Sequence, residues 1–221
     1  MIDVYTADTP NGVKVPIALE ELGVPYRIVR INLGAKEQKL PAFVQINPNG
    51  RIPAIVDRDG PGGAPLSVFE SGAILWYLAE KFERLIPADP VGRVRALEYT
   101  FFQVGGIGPM FGQAGWFVRS APQRVDFAIE RYHRESNRLT AVLETRLQQA
   151  PWLAGSEYSV ADIMNFGWLN TSDDAGVSLA DYPAVKGWVA RMRQREGVQR
   201  GLAALRVARE QGAMFAPVAV H

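Results

Sequence analysis

The chain contains no cysteine and only two histidines, His133 and the terminal His221. Without cysteine there are no disulfides, no thiolate metal sites and no cysteine nucleophile. Two histidines so far apart in sequence are a poor basis for a metal centre. Long apolar runs are also lacking, and none approaches the ~20 residues needed to cross a bilayer. Charge of one sign is not in excess: 24 Lys and Arg stand against 23 Asp and Glu, a net of +1, so no overall field recruits nucleic acid or a membrane surface. Neither is expected as a partner. Met1 leads directly into a strand-like segment, which leaves no room for a signal peptide and predicts a cytoplasmic protein. The 221 residues are 48% hydrophobic, enough for one or two domains with a sizeable core. Any sulfur chemistry must use sulfur brought by a ligand, and any anion must be held by locally placed charge.

The two halves differ in texture. Ile2–Thr6 is a short β-prone run ended by Pro10-Asn11-Gly12. Residues 13–22 read as a helix, with Pro16 tolerable only near its start. Gly23-Val24-Pro25 stops it, and residues 26–31 read as a second strand, implying a parallel crossover. Residues 52–56 form a third strand, 57–65 a Gly/Pro/Asp-rich turn and 66–68 a fourth strand. Residues 70–82 are a helix with Ile74, Tyr77 and Leu78 at core spacing. From Pro90 onward strand signals disappear. Residues 122–149 carry one apolar stripe, and Pro151 ends that helix. Ser159-Val160-Ala161-Asp162 reads as a capping box with Asp replacing the usual Glu or Gln. Residues 182–195 and 198–208 are further helices. The expectation is a βαβ–ββα domain over 1–84, a linker at 85–90, an all-α domain over 91–208 and an apolar tail over 209–221.

Three short motifs in the first half carry candidate chemistry. Thr9-Pro10-Asn11-Gly12 follows the first strand, where open α/β sheets place ligands. A hydroxyl and an amide there can donate to a thiolate and lower its pKa; the alternative is a turn with Asn11 as helix N-cap. Ile52-Pro53 opens a strand, where proline needs a reason. A cis bond is one, leaving the Ile52 backbone free to pair with an extended peptide, and an edge-strand proline is the other. Glu70-Ser71-Gly72 opens a helix, whose free N–H groups bind carboxylates while Glu70 pairs with an ammonium. Simple capping by Ser71 is the competing reading. Tyr5 lies within a strand and reads as core. In the second half, Arg131, Arg134 and Arg138 share one helix face, as a cationic wall or as an ordinary solvated surface. Gly105-Gly106-Ile107-Gly108 lacks the flanking signals of a phosphate loop and reads as a kink or a close packing point.

At this point the chain resembles a known family over roughly residues 1–208. The βαβ–ββα half with Ile52-Pro53 and Glu70-Ser71, followed by helices with Ser159-x-x-Asp162, resembles the glutathione S-transferase superfamily. Thr9–Gly12, Asn47–Val56, Phe69–Leu75, Gln103–Met110 and Ala128–Tyr132 look like its bacterial Nu class, which is close to a yeast prion-forming nitrogen regulator. The resemblance implies a thioredoxin-like N-terminal domain, an all-helical C-terminal domain and a homodimer. It implies a γ-glutamyl head at Glu70 and Ser71, a cysteinyl backbone paired with Ile52 beside cis Pro53, and Thr9 and Asn11 near the sulfur. Gln38, Arg51 and Arg131 match further positions that contact glutathione. Arg51 stands where other members carry lysine, which changes the geometry of a carboxylate contact.

The activity implied is reduction of small disulfides with two bound glutathiones, or one oxidised glutathione, per subunit. Two thiols seated side by side can exchange with a disulfide without a protein thiol. Conventional transfer of glutathione to electrophiles, over a pocket from Phe111, Trp116 and Phe117, is the second enzymatic expectation. A non-catalytic glutathione-binding regulator is the third.

Overall fold

The computed structural model describes residues 1–210, which divide into two compact units, one of residues 1–82 with 195–210, the other Glu83–Gln194. The first unit begins β1 (Ile2–Thr6), α1 (Lys14–Leu22), β2 (Tyr26–Arg30), α2 (Pro41–Val44), β3 (Ala54–Asp57), β4 (Leu66–Phe69) and α3 (Ser71–Lys81). The strands form one mixed sheet in the order β2-β1-β3-β4, with β1 and β2 parallel and the other neighbours antiparallel. A parallel pair cannot be joined by a tight turn, so α1 carries the crossover.

Alternation along the strands sends residues to two different cores. Tyr5, Ala54 and Val56 pack with Ile31, Phe43 and Ile46 on one face, where Tyr5 meets Phe43 edge-on at 6.3 Å. Val4 and Ile55, directly paired in the ladder, are fully buried on the other. Ile17 and Leu19 of α1 and Ile74, Leu75 and Leu78 of α3 are buried as well, and these two helices pack together. Tyr5 is therefore a core residue, as its strand position predicts.

One helix expected in the all-α half belongs elsewhere. α9 (Glu196–Glu210) packs on α1, and a Cβ at Gly201 would lie 2.7 Å from the Ile17 backbone. Only a glycine lets the helices approach so closely. Arg195 and Arg200 add ion pairs to Glu21 and Glu20 of α1. Residues 195–208, expected with the helical domain, thus sit in the same unit as the sheet. Of the tail expected over 209–221, residues 211–221 lie outside the described residues.

The second unit is helical: α4 (Pro90–Phe102), α5 (Gly108–Arg119), α6 (Asp126–Gln149), α7 (Val160–Leu169) and α8 (Pro183–Gln194). The glycine-rich stretch predicted as a kink is a π-helical turn, Gln103–Ile107, joining α4 to α5. The expected linker is partly anchored, since the Leu85 carbonyl accepts from Val160 N–H at 2.8 Å. Ser159 and Asp162 form the reciprocal capping box at the start of α7. Among the described residues no helix is long and apolar enough to cross a membrane, and no His/Cys/Asp/Glu cluster could hold a metal.

Candidate functional site

The turn after β1 is closed by its own backbone and hydroxyls. Thr9 Oγ1 accepts from Gly12 N–H at 3.0 Å, and Thr6 Oγ1 donates to the Gly12 carbonyl at 2.9 Å. A Cβ at Gly12 would fall 1.9 Å from the Ala7 carbonyl oxygen, so no other residue fits this turn. Accepting one bond leaves the Thr9 O–H able to donate elsewhere.

Asn11 does not cap α1. The N-cap position is Val13, which makes no side-chain capping bond. Asn11 Oδ1 instead accepts from Lys14 Nζ at 2.8 Å, and the same Nζ stands 3.3 Å from Ser71 Oγ at the start of α3. Lys14 is fully buried. Burial holds its amine well below the usual lysine range, with the Glu70 charge opposing that shift. Sequence reasoning missed this residue because lysine is ordinarily read as solvated surface. The available signal was a lysine inside the apolar run Val13 to Leu19, one helical turn past Asn11.

The Ile52–Pro53 peptide bond is cis, the first of the two alternatives its position allowed. Ile52 stands outside the sheet ladders, which end at the Tyr5–Ala54 and Ala54–Phe69 pairs. The turn before it is shaped by buried Asn47. Its amide donates to the Arg51 carbonyl at 2.6 Å, and its Oδ1 accepts from Asn49 N–H at 2.9 Å. Asn49 in turn donates to Glu70 Oε1 at 3.3 Å, linking this turn to the head of α3.

Glu70 is the N-cap of α3 with φ 68° and ψ 117°, and its side chain does not cap the helix. A non-glycine residue held there stores of order 1–3 kcal/mol, a cost that concentrates at functional positions. Ser71 begins the helix, buried, with its hydroxyl on Lys14 rather than on its own helix. Simple capping by Ser71 is therefore not what this geometry shows. The first-turn N–H groups of α3 have no intrahelical acceptor.

Two further residues in this unit are set up to receive polar groups. Gln38 Oε1 is buried and has no hydrogen-bond partner among the described residues. Arg51 is exposed and in no ion pair among them. The first unit thus holds Thr9, Asn11, Gln38, Arg51, Ile52, Pro53, Glu70 and Ser71, with direct bonds joining Asn11 to Ser71 through Lys14 and Glu70 to the Asn47–Arg51 turn. Orphaned acceptor, unpaired guanidinium and open helix start suit a small ligand with a carboxylate, an ammonium and amide groups, which is the makeup of glutathione.

Arg131 lies on α6 in the second unit. Arg134 pairs with Glu130 and Arg138 with Glu135, so two of the three arginines belong to an ordinary solvated face. Arg131 is exposed and in no ion pair among the described residues. Of the aromatics expected around an electrophile, Phe111 is core, whereas Trp116 is 45% exposed. Phe117 stacks on Tyr132 at 5.4 Å and meets Trp116 edge-on.

Known proteins are similar to this chain over most of its length. Residues 2–80 match the glutathione S-transferase N-terminal domain and residues 109–196 the glutathione S-transferase C-terminal domain. The chain is 48% identical over 203 residues to the disulfide-bond oxidoreductase YfcG of Escherichia coli K12, covering 91% of this chain and 94% of that protein. A glutathione transferase of Burkholderia graminis, crystallised with two glutathione molecules per subunit, has a TM-score of 0.87 at 44% identity, covering 91% of this chain and 87% of that one. A glutathione transferase of Pseudomonas putida, crystallised with one glutathione disulfide per subunit, has a TM-score of 0.86 at 42% identity, covering 91% and 90%. The chain belongs to the glutathione S-transferase family.

Proposed function

We propose that this protein is a glutathione-dependent disulfide-bond oxidoreductase of the Nu class that reduces small disulfides in the cytoplasm, holding two glutathiones or one glutathione disulfide per subunit. The observation that carries the reading is the absence of any cysteine from a chain so similar to a disulfide-bond oxidoreductase. The chemistry is thiol–disulfide exchange: two glutathione thiols give up two electrons and two protons, the substrate X–S–S–X becomes two X–SH, and glutathione disulfide leaves. The protein contributes position and charge.

Each residue has a role in that reading. Ser71 and the first N–H groups of α3 receive the α-carboxylate of the γ-glutamyl head, and Glu70 its ammonium. Ile52 pairs with the cysteinyl backbone beside Pro53. Thr9 and Asn11 donate to the sulfur and favour its thiolate. Gln38 and Arg51 hold the remainder of the first tripeptide, and Arg131 offsets the charge of the second. A homodimer is part of the proposal. Val91, Val94, Leu97, Phe101 and Val104 are exposed apolar residues at helical spacing along α4 and the turn after it, a stripe that a second copy would cover.

Glutathione transfer to electrophiles is the second reading, favoured by the exposed aromatic group of Trp116, Phe117 and Tyr132. A coupled assay separates the two. Glutathione-dependent reduction of a small symmetrical disulfide, followed through glutathione reductase, should far exceed conjugation to a halonitrobenzene, and the reverse ratio refutes the first reading. A crystal grown in excess glutathione should contain two tripeptides per subunit; one tripeptide would rule out the exchange cycle.

A further inference from the structure

We infer that Lys14 is a positioning residue that ties the sulfur end of the glutathione site to its carboxylate end. The inference rests on the proposed function and adds a residue that neither the motifs nor the proposed contacts include. Its single Nζ lies 2.8 Å from Asn11 Oδ1 and 3.3 Å from Ser71 Oγ, bridging positions 57 residues apart in sequence.

As an ammonium, the form that the Glu70 charge favours, Lys14 can only donate, so it fixes which end of the Asn11 amide it holds. With Oδ1 held by Lys14, the hydrogens of Asn11 Nδ2 are the donor end through which this amide meets a ligand. Asn11 can then act on a thiolate only as a donor, which is the direction that lowers a thiol pKa. A donor on Oδ1 also polarises the amide and strengthens those Nδ2 hydrogens. At the other end, a bond from Nζ into Ser71 Oγ leaves the hydroxyl proton pointing away from Lys14. Ser71 is then free to donate to the ligand carboxylate. One buried side chain thereby sets the polarity of both contacts.

Lys14 has no packing reason to be lysine. It is completely buried, in a stretch where Val13, Val15 and Ile17 are buried too, and an aliphatic residue there would avoid the cost of burying an amine. Its Nζ bonds the side chains of two site residues, Asn11 and Ser71. Glu70, the third residue of the same site, supplies the charge that favours its ammonium form.

The test is Lys14→Met, which keeps length and removes the donor. Reductase kcat/KM should fall about tenfold to a hundredfold, the range for losing a charge-assisted bond. Ultraviolet thiolate absorbance of bound glutathione should drop, and adding Asn11→Ala to Lys14→Met should lower it little further. A purely structural lysine would shift the melting temperature and leave thiolate absorbance and KM for glutathione unchanged, which overturns the inference. Failure of the wild-type protein to bind glutathione would defeat the proposed function itself, and this inference with it. Should Lys14→Met not fold, lysine-selective NMR of the wild type decides. The chain has five lysines, Lys14, Lys36, Lys39, Lys81 and Lys186. The Lys14 Cε resonance must move on saturation with glutathione; an unmoved resonance refutes the role.

Discussion

Two helices begin at a serine with an acidic residue within three positions, and they begin differently. At α7 the N-terminus is closed. Ser159 Oγ accepts from Ala161 N–H at 3.3 Å, and the Asp162 carboxylate accepts from Ser159 N–H, Leu153 N–H and Trp188 Nε1, each at 3.0 Å. At α3 the N-terminus is open. Glu70 reaches toward Asn49, Ser71 is held by Lys14, and neither caps the helix. A closed helix start uses its polar groups to fix the fold, whereas an open one keeps them for something absent from the chain. The same residue types therefore predict opposite mutational behaviour.

The largest effect should follow from breaking the closed end. Asp162→Ala removes the acceptor of four buried donors at once, the Ser159 hydroxyl included, and a donor left unpaired costs about 1–3 kcal/mol. For a chain of this size, about 3–5 kcal/mol lowers the melting temperature by roughly 10 °C. Glutathione affinity of the fraction that folds should be unchanged. Calorimetry and a binding titration on one preparation test both halves of that statement.

Acid should reveal the same carboxylate. Burial pushes Asp162 up to about 6, against the pull of its four hydrogen bonds. An aspartate in the unfolded chain titrates near ~3.9. Between those values the folded state binds the proton more tightly, so this contribution to stability is full below about pH 4 and is lost as pH rises through about 6. The melting temperature of wild type minus that of Asp162→Asn should decline over that window, at most by the equivalent of about 1.4 kcal/mol per pH unit. A flat difference would mean the hydrogen bonds outweigh burial.

The open end should respond in the other way. Ser71→Ala removes one donor to the proposed γ-glutamyl carboxylate and should weaken glutathione binding by about tenfold, with a melting shift within about 4 °C. A large melting loss with unchanged affinity would make Ser71 a structural residue like Ser159.

Much of this contrast was legible in the sequence, and the rest was not for identifiable reasons. The four strands, α1 and α3 of the first unit follow from short β-prone runs broken by Gly and Pro, and their observed ends differ from expectation by a residue or two, whereas the single turn of α2 (Pro41–Val44) carries no periodic signal and was not expected. Ser159-x-x-Asp162 could be recognised as a capping box because every group it needs lies within four residues. The open character of α3 could not be, because the group that takes Ser71 comes from Lys14, far away in sequence. The place of α9 was equally hidden. Its apolar spacing says that it packs, and only the close approach of Gly201 to Ile17 says on what. Local bonds leave local signatures, and contacts made across the chain leave none.

The smallest expected effect sharpens the comparison on α6. Arg131, Arg134 and Arg138 share a helix face, and two are already joined to glutamates. Exposed pairs of that kind contribute about 0–1 kcal/mol, so Arg134→Ala should change neither melting nor ligand affinity measurably. Arg131 has no such partner among the described residues, and two bound glutathiones carry two net negative charges. Arg131→Ala should therefore weaken glutathione disulfide about fivefold, an effect of about 1 kcal/mol that added salt erodes in the wild type. The pair of variants is the control. Equal affinities for Arg131→Ala and Arg134→Ala would return all three arginines to the solvated face and leave the second glutathione without a cationic partner on this helix.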